Sequence, residues 1–167
     1  MVRFAVSSLV ALLVVLQAAV ALTPPHRLLF TISSAVNEDT VKVPDAPTIW
    51  GYSDLTVNSD KYGVFQLWRF TPYNKYGHLR ITNPATNLAV AAPPNSFASS
   101  FGNPVVVVPK DIGSPWRLES VLGKPYSIIR HGDTEFVWTR REDKIFLTPY
   151  RGYAEQQWIV DVEPESA

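Results

Sequence analysis

Gln156-Gln157-Trp158-Ile159-Val160 has two counterparts upstream, Gln66-Leu67-Trp68-Arg69-Phe70 and Ser114-Pro115-Trp116-Arg117-Leu118. The tryptophans stand 48 and 42 residues apart (116 − 68 and 158 − 116). Two residues after each comes another apolar side chain: Phe70, Leu118 and Val160. A period of two places both on one face of a strand. A second beat runs with the first. Ile32, Ile81 and Ile128 are 49 and 47 apart, and so are Val41, Val90 and Val137. Each repeat therefore opens on a strand carrying Ile and holds a second strand nine residues on. A third follows (Leu55-Thr56-Val57, Val105 to Val108, Ile145-Phe146-Leu147), and the Trp strand closes the repeat. Self-similarity at this period signals a repeat architecture.

The segments between these strands read as turns: Asn83-Pro84, Pro93-Pro94-Asn95, Gly102-Asn103-Pro104, His131-Gly132-Asp133 and Arg151-Gly152. The strands are rich in β-branched and aromatic residues. No window of a dozen residues carries a 3.6 period, and the 14 prolines would interrupt helices in any case. The expectation is an all-β chain of about twelve short strands. Propeller blades have similar lengths but usually number four or more. Three hairpin-rich repeats can instead close into a barrel with a three-fold axis, which removes the edge strands.

The first residues predict something else. Arg3 is followed by the apolar run Phe4 to Leu16 and by Ala19-Val20-Ala21, a small-x-small site. That is the pattern of a secretory signal peptide over residues 1–21, leaving a domain over residues 22–167 and a secreted, extracellular protein. The chain holds no cysteine, so the exported domain relies on packing instead of disulfides and offers no thiolate metal site. With 15 basic and 15 acidic residues the formal charge is zero. Losing Arg3 leaves the expected mature form near −1, which argues against nucleic acid, and no basic amphipathic helix suggests a membrane surface.

With its Q-x-W signature at Trp68 and Trp158 and a proline-bearing variant at Trp116, the chain resembles the β-trefoils. That resemblance implies a fold in which the repeated Trp and its aliphatic neighbours fill a barrel core. Within the trefoils, Asn103-Pro104-Val105-Val106-Val107-Val108, Trp116-Arg117-Leu118-Glu119 and Tyr126-Ser127-Ile128 resemble the cospin-type fungal serine peptidase inhibitors. So do Val137-Trp138-Thr139, Ile145-Phe146-Leu147 and Gln156-Gln157-Trp158-Ile159. The ricin-type lectins are the other trefoil family to weigh. Their sugar sites combine an Asp early in the repeat, an aromatic platform and an Asn just before the Gln of the Trp motif. Here Val64-Phe65, Ile112-Gly113 and Glu155 precede the motif, and none supplies that Asn.

Among the tryptophans, Trp68, Trp116 and Trp158 keep the repeat register and read as core. Trp138 alternates with Phe136 and reads the same way. Trp50 has no aromatic counterpart in the other repeats. It belongs to Pro44–Asp54, the loop that matches one the inhibitors use. The peptidase contacts expected there are Pro47, Thr48, Ile49, Trp50, Gly51 and Tyr52. That loop holds neither Lys nor Arg, so it points to an apolar specificity pocket of the chymotrypsin kind. Basic loop residues Lys75, Arg140, Arg141 and Arg151 are second-choice contacts for a trypsin-like pocket. The mixed-charge run Arg140–Lys144 equally reads as a solvated hairpin tip. His26, His78 and His131 lack ligand spacing and read as solvated residues near turns, so no metal is expected. Nucleophile-elbow, zinc-protease, phosphate-loop and dinucleotide motifs are absent, so no cofactor and no enzyme activity are expected. The expected molecule is a monomeric trefoil inhibitor that contacts a secreted peptidase, with glycan binding as the alternative. N-terminal sequencing of the protein recovered from culture medium should start at or near Leu22; a chain that still begins at Met1 would contradict the leader.

Overall fold

The structure, a computed structural model, describes residues 28–44, 52–59, 63–93 and 102–163. The expected leader (1–21) and five of the six expected loop contacts, Pro47 to Gly51, lie outside the described residues. The first repeat supplies β1 (Leu29–Ser34), β2 (Thr40–Lys42), β3 (Ser53–Asp54), β4 (Thr56–Asn58) and β5 (Arg69–Pro72). The second supplies β6 (Leu79–Asn83), β7 (Leu88–Ala91), β8 (Asn103–Pro104), β9 (Val106–Pro109) and β10 (Trp116–Ser120). The third supplies β11 (Ser127–His131), β12 (Phe136–Arg141), β13 (Lys144–Pro149) and β14 (Trp158–Glu163). Among the described residues there is no α-helix; single 3-10 turns at Val64–Gln66, Lys110–Ile112 and Ala154–Gln156 each lead into a Trp motif.

The first and last strands of the repeats form a closed barrel. Going round it, β1 pairs with β14, β14 with β11, β11 with β10, β10 with β6 and β6 with β5, all antiparallel. A reciprocal pair of bonds between Phe30 and Trp68, both 2.8 Å, returns the ring to β1. The middle strands make three further pairs, β2 with β4, β7 with β9 and β12 with β13. These hairpins meet in a small cycle of backbone bonds. Leu55 N donates to Val105 O at 2.7 Å, Val105 N to Ile145 O at 2.7 Å, and Ile145 N to Leu55 O at 3.3 Å. All three side chains are fully buried, which marks a pseudo-three-fold axis.

Trp68, Trp116 and Trp158 sit on that symmetry, each with no exposed surface. A buried indole N–H needs an acceptor. Each finds a backbone carbonyl on the second strand of its repeat: Trp68 donates to Val41 at 3.1 Å, Trp116 to Val90 at 3.0 Å and Trp158 to Trp138 at 3.2 Å. The third acceptor corrects the sequence register. Trp138, not Val137, is the counterpart of Val41 and Val90. Likewise Val160 pairs with Ile32, Phe70 with Ile81 and Leu118 with Ile129, so Ile129 replaces Ile128. Both faces of β11 and β12 are buried there, so the alternation that would expose a one-residue slip is missing.

The core is therefore not symmetric in its contents. Trp138 fills a place held by valine in the other repeats. It meets Trp116 and Trp158 edge-to-face, with centroids 5.5 and 5.9 Å apart. The second repeat differs too, because its motif reads Ser114-Pro115-Trp116 in place of Gln-x-Trp. There Gly113 packs so closely that an added Cβ would stand 2.6 Å from the Ala89 Cβ. Trp116→Ala should destabilise the domain by about 3–5 kcal/mol, measured by denaturant unfolding.

Candidate functional site

The third repeat carries an open cleft of roughly 800 Å3 between the β12–β13 hairpin and the 3-10 turn before Trp158. Its floor is Gln156, the first residue of the last Trp motif, which is almost wholly buried. The Gln156 Nε2 group donates to Thr139 Oγ1 and Thr148 Oγ1, each at 3.1 Å, and to Pro149 O at 2.9 Å. Its Oε1 accepts Arg151 N at 2.7 Å, and the two threonine hydroxyls are 2.5 Å apart. The amide thus fixes the segment Pro149–Arg151 against the hairpin. Above this floor stand Arg151, Tyr153 and Glu155, all exposed, with Tyr153 60% exposed. The Glu155 carboxylate and the Arg151 guanidinium have no ionic or hydrogen-bonding partner among the described residues.

Arg140 and Arg141 form part of the opposite wall. Arg140 is not a free tip residue. Its Nη2 donates to Asp39 Oδ2 at 2.6 Å, Nη1 bonds Asn37 and Nε donates to Glu142 O at 2.8 Å. Its side chain is only 15% exposed, so it joins the first repeat's turn to the third repeat's hairpin. Arg141, Glu142 and Asp143 are exposed at the tip, as expected, with the Arg141 guanidinium 5.4 Å from the Phe146 ring. The structure thus brings Arg140, Arg141 and Arg151 to one cleft. Tyr52 and Lys75 belong to other surfaces. Tyr52 is exposed just before β3. Lys75 is exposed in the β5–β6 turn, its Nζ 5.4 Å from the Tyr76 ring. Thr139 and Thr148 escape sequence reasoning; Tyr153 is legible as part of the Tyr-rich loop around Arg151, and Glu155 and Gln156 only as members of the Trp motif and its approach.

The histidines depart from expectation. His78 is buried, 6% exposed, rather than solvated. Its Nδ1 is 2.9 Å from the Asn74 amide nitrogen and its Nε2 is 3.3 Å from Asp133 Oδ1. The Asn74 oxygen accepts Tyr76 N at 3.0 Å, so the amide nitrogen is the group that faces His78 and donates to Nδ1. His131 stands opposite Trp116 in the β10–β11 pair and packs edge-on against it, centroids 5.3 Å apart. His26 lies outside the described residues.

The folds of known proteins match this one widely. ThreeFoil, a designed three-fold symmetric protein, superposes with a TM-score of 0.68 at 19% identity, covering 79% of this chain and 96% of its own. The chain is a β-trefoil. A ricin B-like lectin of Macrolepiota procera, solved with lactose, aligns with a TM-score of 0.66 at 11% identity over 83% of this trefoil and 97% of the lectin. The Rhizoctonia solani agglutinin gives 0.65 at 17% identity, over 85% and 99%. No protein-family profile and no curated protein sequence matches the chain.

Burial, and after it the charge of His78, holds the His131 imidazole below its usual pKa. The unfolded chain therefore takes up the proton more readily than the folded one. This contribution is fully present above the ordinary imidazole value of about 6.5 and is lost as pH falls below it. The melting temperature should drop between pH 7.5 and 5.5, and His131→Gln should drop less over the same range.

Proposed function

We propose that this trefoil is an exported, non-enzymatic carbohydrate-binding protein, and that the third-repeat cleft is its sugar site. The observation that carries the reading is the cleft's chemistry. It joins an exposed aromatic face (Tyr153) with a donor (Arg151) and an acceptor (Glu155) that have no partner among the described residues, all on a segment fixed by the buried Gln156 amide. Sugar hydroxyls donate and accept at once, and a ring's C–H face packs on an aromatic, so these three group types suit a neutral saccharide. The lectin-bearing trefoils described above supply the analogy; one of them was solved with lactose. The missing Asn before the Trp motif makes the site unlike the ricin type, because Glu155 stands where that Asn would be.

Peptidase inhibition is a second reading, and one observation favours it. The segment 44–54 is held at both ends. Val43 N donates to Phe65 O at 3.0 Å, Ser53 and Asp54 pair with Val107 and Val106, and Lys144 Nζ meets Asp54 Oδ2 at 2.7 Å. Anchored ends lower the ordering cost of binding, and Tyr52 is exposed beside them. By contrast, Lys75 and Arg141 sit in tight turns, which are poor mimics of an extended substrate.

A glycan array probed with the mature protein should show saccharide binding, and Tyr153→Ala and Arg151→Ala should each weaken it about tenfold or more, a loss of about 1.4 kcal/mol. An array without signal, combined with chymotrypsin inhibition that Trp50→Ala with Tyr52→Ala abolishes, would replace the sugar reading by the inhibitor one.

A further inference from the structure

The chain's zero net charge hides a polarised distribution. Residues 61–110 contain Lys61, Arg69, Lys75, Arg80 and Lys110 and not one Asp or Glu. The structure places three of these cations on one hairpin. Arg69 lies on β5 opposite Thr82, and Arg80 lies on β6 opposite Thr71. Phe70 and Ile81 between them point into the core, so Arg69 and Arg80 stand on the outer face as diagonal neighbours, about 7–8 Å apart by strand geometry. Lys75 is exposed in the turn that joins the two strands.

The barrel's other outward arginines are neutralised. Arg130 makes a two-pronged pair with Glu119, at 2.8 and 2.9 Å, and Arg117 pairs with Asp133. Arg69 and Arg80 have no carboxylate partner among the described residues. Their Nε atoms are nonetheless buried and make no hydrogen bond. The Arg80 guanidinium is further held 5.2 Å from the Tyr73 ring, which limits its motion before any ligand arrives.

We propose that the outer face of the β5–β6 hairpin, with Arg69 and Arg80 at its centre and Lys75 at its turn, binds the sulfate groups of an anionic polysaccharide. This is a second surface, separate from the third-repeat cleft and independent of it. The guanidinium fork presents paired donors to tetrahedral oxyanions, and two forks on a diagonal read successive charges along an extended chain. Tyr73 and Tyr76, both exposed, offer apolar faces to the sugar rings between those charges. The basic face is one hairpin wide and meets Asp133 beside β6, its Oδ1 3.3 Å from His78 Nε2. A single polysaccharide chain fits that width.

The test uses the mature chain on immobilised heparin, on chemically desulfated heparin and on immobilised duplex DNA, eluted by salt. Heparin should retain the wild type, and the other two matrices should release it at clearly lower salt. Arg69→Ser with Arg80→Ser should move elution to much lower salt and flatten the dependence of log affinity on log salt by about two, one per guanidinium removed. Arg69→Lys with Arg80→Lys keeps the charge and the fold and should bind less tightly than wild type but more tightly than the serine pair. A charge-matched control, Lys42→Ser with Lys124→Ser, should elute with the wild type. The proposal falls if the wild type passes through heparin, if the control loses as much as the serine pair, or if DNA holds the wild type as firmly as heparin does. Equal retention on desulfated heparin would also overturn it, since neutral-sugar binding at the cleft would then explain the retention.

Discussion

Each repeat commits one indole N–H to a backbone carbonyl inside the barrel, and the architecture depends on those three bonds. The donor rides on a barrel strand (β10 or β14) or just before one (β5). The acceptor is a carbonyl on the neighbouring hairpin strand β7, β12 or β2. One bond therefore joins barrel to cap in every repeat. An indole too large to leave the core and too polar to enter it alone fixes the distance between the two layers. The Leu55–Val105–Ile145 cycle then closes the cap on the axis.

Surface chemistry follows from the loss of symmetry outside that frame. The motif glutamine is nearly buried in the first and third repeats; in the third it holds a pair of threonines and a carbonyl. In the first repeat Gln66 reaches Asn58 at 3.3 Å. The second repeat replaces the glutamine and packs Gly113 on Ala89. One scaffold position thus yields a cleft floor in one place and closed packing in another. The same divergence leaves ion-paired arginines on β10 and β11 and, among the described residues, arginines without a carboxylate partner on β5 and β6.

The fold was legible because its determinants recur in the sequence. Trp68, Trp116 and Trp158, with Phe70, Leu118 and Val160 two places on, announce strand, face and repeat together. What recurrence does not encode was less legible. The slip from Ile129 to Ile128 arose because both neighbours are isoleucine and both are buried, so hydrophobicity does not mark the face. The burial of His78 depends on Asn74 and Asp133, of which Asp133 is more than fifty residues away. Arg140 is held by Asn37 and Asp39 across roughly a hundred positions. Neither pairing has a local signature, and the cleft around Tyr153 gathers residues whose types are ordinary for a loop.

Trp138 has a consequence for how such a chain can have diverged from identical thirds. Valine occupies its place in the other repeats, and the extra indole volume reaches both Trp116 and Trp158. The first repeat in turn brings Phe30 and Phe70 into the same core, rings 4.8 Å apart, so the three thirds fill the interior with different side chains. The interior is thus common property of the whole ring, not a sum of three private cores. The large side chain of one third is accommodated by the indoles of Trp116 in the second repeat and Trp158 in its own.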